Sequence, residues 1–186
     1  MFNSPQSVEH IIDFLNAHHI PYMLIGGLVV SIWGETRVTH DADFKVSIDI
    51  PLAEFRKLVL EHFPERPMNI PAHKKSPYIV HIWAAPEVAV DLLVSIFDYE
   101  KEAIKRAVEM NVMGISVRVC TAEDFIIHKA TANRVKDWID IETILIRQRG
   151  KLDVDYILKW LTQFSEALEN PEMLHKFNEL YENINS

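Results

Sequence analysis

The chain has 186 residues, 48% of them hydrophobic and 25% charged, and a formal net charge of −8. That length fits one domain, or a core with a small appendage, and the composition is sufficient to bury a core. The acidic balance excludes a general nucleic-acid binder with a basic surface and leaves room only for a local basic patch. The lone cysteine, Cys120, rules out an internal disulfide and fits a reducing compartment. Cys120 stands in an apolar run and is expected to be a core thiol. The first residues lack a basic stretch followed by an apolar one, so no secretory signal is read. The longest near-apolar run, Tyr22 to Gly34, is broken by glycines and too short to span a bilayer. A soluble cytoplasmic protein with no membrane partner is expected.

Ser4-Pro5 reads as a helix start, and Val8, Ile11, Ile12 and Leu15 follow at helical spacing until Pro21. Tyr22 to Ile25 predicts a buried strand. Gly26-Gly27 then opens a short apolar helix, Leu28 to Trp33, which Gly34 ends. Ala42, Phe44, Val46 and Ile48 alternate with Asp41, Asp43, Lys45 and Ser47, the pattern of a half-buried strand. Asp49 and Pro51 begin a helix with Leu52, Phe55, Leu58, Val59 and His62 on one face. Pro64 to Pro77 holds four prolines and Lys74-Lys75 and reads as a connecting loop. Tyr78 to Ala84 and Val88 to Ser95 predict two strands joined by a turn at Pro86-Glu87.

Asp98 is expected to cap a helix running to about Val108, and Ile115 to Cys120 to form another strand. Thr121 with Asp124 resembles a capping box. From there the pattern is helical: roughly Ala122 to Asn133, Asp137 to Arg149 stopped by Gly150, and two more helices from Asp153 and from Asn170-Pro171. The expected architecture is therefore α/β (α+β). A mixed sheet flanked by helices occupies residues 1–120, and a helical appendage occupies 121–186.

The chemistry concentrates between Gly26 and Asp43. Two carboxylates one residue apart on a strand point to the same face, with Cα atoms ~6.8 Å apart. That spacing suits two acids holding magnesium, an ion that takes oxygen ligands and keeps waters and substrate phosphates in its shell. Glycines where a strand gives way to a helix let backbone N–H groups approach a phosphate, favoured by the helix dipole. Each half alone is common: Asp-x-Asp is often a solvated turn, and Gly-Gly is often a tight turn. Their order, with Arg37 and Thr39 between them, points to nucleotide chemistry.

Asp91 is the lone charge in the apolar strand Val88 to Ser95, with Val88, Val90, Leu92 and Val94 on the other face. A buried carboxylate is paired or binds a cation. Two readings follow, a structural salt bridge or a third metal ligand beside Asp41 and Asp43.

The stretch Lys129 to Asp140 is polar for a bundle helix. Lys129, Arg134 and Lys136 are within reach of a phosphate, and Asp137 and Asp140 share a helix face. The plainer alternative is a solvated face with pairs such as Lys136 and Asp140. His40, beside the acids, points to the opposite face from Asp41. The histidines show no zinc spacing.

These residues resemble the DNA polymerase β-like nucleotidyltransferase superfamily. The resemblance is carried by Gly26-Gly27, then Asp41-x-Asp43, then Asp91 on a later strand, and it spans roughly Tyr22 to Leu145. More narrowly, Arg37-x-Thr39-x-Asp41-x-Asp43 and Lys129…Arg134-x-Lys136-Asp137-x-x-Asp140 look like the AbiEii/AbiGii toxin-type branch. One departure is that Gly27 and Leu28 stand where some members place a hydroxyl residue, so phosphate contact would rest on backbone N–H groups.

The resemblance implies a magnesium-dependent nucleotidyltransferase that moves a nucleoside monophosphate from a nucleoside triphosphate, ATP among them, to an acceptor hydroxyl. Asp41 and Asp43 would be shared by two magnesium ions, and Asp91 would bind the one under the acceptor and help deprotonate it. Gly26 and Gly27 would hold the triphosphate. Arg37 or Lys129 would counter phosphate charge, with Thr39 and Asp137 beside the nucleotide. The acceptor would be RNA, protein or a small molecule, and an antitoxin protein would be a partner. Two alternatives stand: an aminoglycoside- or lincosamide-type antibiotic nucleotidyltransferase, suited to an acidic chain with Thr36-Arg37 before the acids, and a non-catalytic nucleotide- or partner-binding module.

Overall fold

The computed structural model describes residues 5–35, 39, 41–69, 71, 75–112 and 114–186, with side chains from residue 8 onward. Two compact units emerge: Met1–Leu28 with Val38–Cys120, and Val29–Arg37 with Thr121–Ser186.

The first unit is built on a six-stranded mixed sheet. In chain order its strands are β1 (Tyr22–Ile25), β2 (Asp41–Val46), β3 (Ile79–Ala85), β4 (Val88–Val94), β5 (Val108–Val112) and β6 (Ile115–Val119), and across the sheet they run β3-β4-β2-β1-β6-β5. β2 pairs parallel with β4, and β1 pairs parallel with β6; the other neighbours are antiparallel. One face of the central strands is wholly apolar: Ala42, Phe44, Val46, Val80, Ile82, Val90 and Leu92 have no solvent exposure. Helix α1 (Pro5–Ala17) contributes Ile11 and Leu15 to the core, and α3 (Leu52–His62) contributes Phe55 and Val59, all four equally buried. Each such side chain stabilises the fold by about 1.5–3 kcal/mol relative to exposure.

The opposite face of β2 carries Asp41, Asp43 and Lys45, because strand side chains alternate. Lys45 is buried against Glu100 of α4 (Asp98–Arg106), and the two form an ion pair. Glu100 also accepts the N–H of Ile96 at 2.7 Å and of Phe97 at 3.2 Å. Burial pushes its carboxyl pKa up, but the Lys45 hydrogen bond and charge and the two N–H groups outweigh that and hold it below the ordinary value.

Some expected boundaries shift. α4 stops at Arg106, and Val108–Val112 forms the edge strand β5. Phe97, not Asp98, is the N-cap of α4, and Pro51 caps α3 with no side-chain hydrogen bond. Within Pro64 to Pro77, Glu65 bridges Ile82, and Arg66 N–H donates to the His81 carbonyl at 2.9 Å. The start of that segment therefore lies along the outer edge of β3. The expected Ser4 cap, Arg37, His40 and Lys74 lie outside the described residues.

The second unit is helical: α5 (Ala122–Ala132), α6 (Val135–Arg147), α7 (Val154–Ala167) and α8 (Pro171–Asn185), together with the Val29–Trp33 part of α2 (Gly27–Trp33). Thr121 caps α5 by accepting the Asp124 N–H at 3.2 Å, and Asp153 caps α7 by accepting the Tyr156 N–H at 3.0 Å. Asp124 is fully buried and accepts the Tyr156 hydroxyl at 2.8 Å. The last carbonyls of α2 are satisfied from the end of α6. Arg147 donates to the Gly34 carbonyl, and Gln148 donates to that of Trp33 at 3.0 Å. A Cβ on Gly34 would meet Thr143 Oγ1 at 2.5 Å, so only glycine allows this approach.

Candidate active site

The strand register brings the acids to one face. Asp43 is the direct partner of Asp91 on β4, and Asp41 lies two residue pairs further along, opposite Ala89. Neighbouring strands are ~4.8 Å apart, so Asp43 and Asp91 stand side by side. On the other side of β2, Asp43 is paired with Ile25, the residue before Gly26. On the far side of β4, Asp91 is paired with His81 of β3. One row therefore crosses four strands: His81, Asp91, Asp43, Ile25.

Gly26 is fitted to this row. Its φ is +75°, a left-handed conformation that costs other residues roughly 1–2 kcal/mol. A Cβ built there would overlap the Asp43 carboxylate, lying 2.8 Å from its Cγ and 2.9 Å from its Cβ. The glycine thus turns the chain from β1 into α2 and makes room for the acid. Gly27 is buried as the first residue of α2.

Each acid has its own surroundings. Asp41 is exposed and accepts the Thr39 hydroxyl at 2.9 Å on Oδ1, so Thr39 orients a carboxylate of the site. Asp91 is half-buried. Its Oδ1 takes both a salt bridge from Arg66 and a bond to His81 Nδ1 at 2.8 Å. Arg66 in turn has its guanidinium carbon 5.8 Å from the centre of the Trp83 ring. The three acids thus share a face, yet among the described residues no three His, Cys, Asp or Glu side chains are gathered as a metal cage. Three anions drawn to one point repel, and here Asp41 is held by Thr39 and Asp91 by Arg66 and His81. The donor chemistry still suits magnesium: carboxylate oxygens only, two of them from register partners, beside a backbone with no side chain in the way. Both bonds to Asp91 fall on Oδ1, which keeps Oδ2 as the atom for a cation or a proton.

The second constellation is an ion-pair cluster inside the helical unit. Lys129 Nζ lies 2.9 Å from Asp137 Oδ1 and 2.6 Å from Asp140 Oδ2, with all three residues buried. Arg134 grips Asp137 with Nε at 2.6 Å and Nη2 at 3.1 Å, and its backbone N–H reaches Oδ2 at 3.2 Å. Burial raises the Asp137 pKa, and the Arg134 and Lys129 hydrogen bonds and charges more than reverse it, leaving the carboxyl below its ordinary value. The ammonium of Lys129 is thus engaged by two carboxylates that tie α5 to α6. Lys136 is exposed, and Asp140 pairs with Lys129.

Sequence reasoning missed Arg66 and His81. His81 is the cross-strand partner of Asp91, so its alternation with Ile79 and Trp83 was the available signal. Arg66 sits in a proline-rich stretch that carries no periodicity.

Residues 4–179 match the family described as a nucleotidyl transferase of unknown function (DUF2204). No curated protein matches the chain. Among solved structures, the antibiotic-resistance factor ANT(2'')-Ia in solution is similar at 16% identity, with a TM-score of 0.56 over 91% of this chain and 95% of that one. The same protein with adenylyl-2''-tobramycin gives 15% identity and a TM-score of 0.55 over 89% and 99%. An antigenic nucleotidyltransferase-like protein from Paracoccidioides brasiliensis gives 19% identity and a TM-score of 0.50 over 91% and 90%. At these identities the likeness shows a shared fold. Among the described residues, no helix is long and apolar enough to cross a membrane.

Proposed function

Since the chain belongs to the family of nucleotidyl transferases of unknown function (DUF2204), we propose that it moves a nucleoside monophosphate from a nucleoside triphosphate to an acceptor hydroxyl at the face formed by Asp41, Asp43 and Asp91. The observation that carries this reading is the row in which Gly26 leaves space for Asp43 and Asp43 stands beside Asp91.

Asp41 and Asp43 would hold magnesium, with Asp91 beside them on the same face. Bound there, magnesium would offset phosphate charge and lower the pKa of the attacking hydroxyl. The protein's own residues do the rest by position and charge. The N–H groups of Gly26 and Gly27 bind the triphosphate, with Arg37 as a counter-charge. Thr39 keeps the Asp41 carboxylate turned toward the site. Arg66 and His81 fix Asp91 through Oδ1. Asp91 accepts the proton of the acceptor hydroxyl, whose oxygen bonds to the α-phosphorus. The α–β phosphoanhydride bond breaks, and pyrophosphate leaves with that electron pair.

The toxin-type reading, with an antitoxin partner, rests on the pattern Arg37 to Asp43 followed by Lys129 to Asp140. The antibiotic-type reading is supported by the fold shared with ANT(2'')-Ia. Each of the four α-labelled nucleoside triphosphates, with magnesium, is to be offered total RNA, total protein, aminoglycosides and lincosamides. Label is expected on one acceptor class only. No transfer of any nucleotide, together with no nucleotide binding, would overturn the reading in favour of a partner-binding module.

A further inference from the structure

The two edges of the sheet are finished differently. β3 is covered: Glu65 bridges Ile82, Arg66 N–H donates to the His81 carbonyl at 2.9 Å, and Trp83 N–H donates to the Pro64 carbonyl at 2.9 Å. β5, at the other edge, pairs with β6 alone among the described residues. A strand spends only half of its backbone groups on one neighbour. Alternate residues of β5 therefore turn their N–H and C=O outward, a template for another strand. We propose that this edge pairs antiparallel with β5 of a second copy of the chain, about a two-fold axis at Met110, and joins two six-stranded sheets into one.

The usual guards of an open edge are missing from β5. It reads Val-Glu-Met-Asn-Val, with no proline and no lysine, and its register with β6 runs unbroken from Val108–Val119 to Val112–Ile115. Its single charge, Glu109, is drawn back toward β6. The carboxylate accepts the Ser116 hydroxyl at 2.5 Å, and the cross-strand partner of Glu109 is Arg118.

The strand also matches itself. Val108, Met110 and Val112 share a face with Val117 and Val119 of β6, which are 3% and 0% exposed. That apolar face runs out to the edge, where Val108 is 39% exposed and Met110 and Val112 are half-buried. With the axis at Met110, Val108 lies against Val112 of the second copy and Met110 against Met110, so the apolar face continues across the join. On the other face Glu109 meets Asn111 of the second copy, an acid beside an amide. An axis at Glu109 would instead set two carboxylates against each other, which selects the register. The pairing is isologous, the commonest form of a dimer interface. Five residues make a short join, so a concentration-dependent dimer is expected rather than an obligate one.

The test is sedimentation velocity on the full chain across a dilution series. The wild type is expected to pass from one chain to two as the concentration rises. Met110→Lys and Met110→Glu each set like charges against each other on the axis and should weaken self-association about tenfold while melting cooperatively. An equal mixture of the two variants sets ammonium against carboxylate and should dimerise as the wild type does. Hydrogen exchange on the wild type gives a reading that needs no variant: the amides of β5 should become more protected as the chain is concentrated. A chain that stays single at every concentration overturns the proposal and leaves the edge to an extended segment of another protein. Dimers of both variants as tight as the wild type, or a mixture of folded variants that does not reassociate, overturn it too. So does exchange in β5 that ignores concentration.

Discussion

The Asp43 carboxylate occupies the space that a side chain on residue 26 would need. Gly26 has a φ of +75°, and a Cβ there would lie 2.8 Å from Asp43 Cγ. Gly26→Ala is therefore expected to act as an active-site substitution. It should displace Asp43 and lower transfer on the order of 100-fold, as removal of a site's aligned polar group does. Gly150→Ala separates this from backbone strain, because Gly150 has a φ of +73° and open space where its Cβ would go. The expected result is a lower Tm in both variants and lost activity only in Gly26→Ala. Equal activities would show that the glycine serves the turn alone.

The stretch around this glycine was legible because its pattern is local. Alternation in Asp41 to Val46 placed both acids on one face, and alternation in Val88 to Val94 set Asp91 apart from the apolar side. Register needs partners from elsewhere in the chain, so the Asp43–Asp91 neighbourhood could only be expected. The Lys45–Glu100 pair joins residues 55 apart and leaves no local trace. β5 was missed although Val108, Met110 and Val112 alternate with Glu109 and Asn111, because this edge strand is only five residues long and none of it is fully buried. Lys129 to Asp140 looked like a solvated or phosphate-facing surface because its charges neutralise one another in a buried cluster.

That cluster makes Lys129 a stability residue in the first instance. Lys129→Ala removes the ammonium from two buried carboxylates, a change that costs about 3–5 kcal/mol. For a chain of this size the Tm should fall by roughly 10 °C. Lys136→Ala, at an exposed position, should stay within about 0.5 kcal/mol of wild type. Thermal melts of the two variants decide the matter. Equal melting temperatures, with nucleotide binding lost only in Lys129→Ala, would return this lysine to the phosphate.

The acid limb of stability follows from Asp137 and Glu100. Both carboxyls are held below their ordinary values of 3.8 and 4.5 in the folded chain. A depressed carboxyl contributes stability above its unfolded pKa and loses it as the pH falls through the folded one. The Tm is therefore expected to hold above about pH 5 and to drop as the pH falls below about 4. Asp137→Asn and Glu100→Gln should each have a lower Tm at neutral pH and a shallower fall in acid. Melts across pH 3 to 7 that run parallel to the wild type would contradict the assignment.

The central claim is that Asp43, seated against Gly26 and beside Asp91, binds the magnesium–nucleotide. The most direct measurement is calorimetric titration of a non-hydrolysable nucleoside triphosphate, in magnesium, into wild-type protein and Asp43→Asn. The wild type should bind the nucleotide with magnesium and lose that binding in a chelator. Asp43→Asn should bind on the order of 100-fold more weakly or not at all while melting cooperatively as a folded chain. Unchanged, magnesium-dependent binding by a folded Asp43→Asn variant would contradict the account.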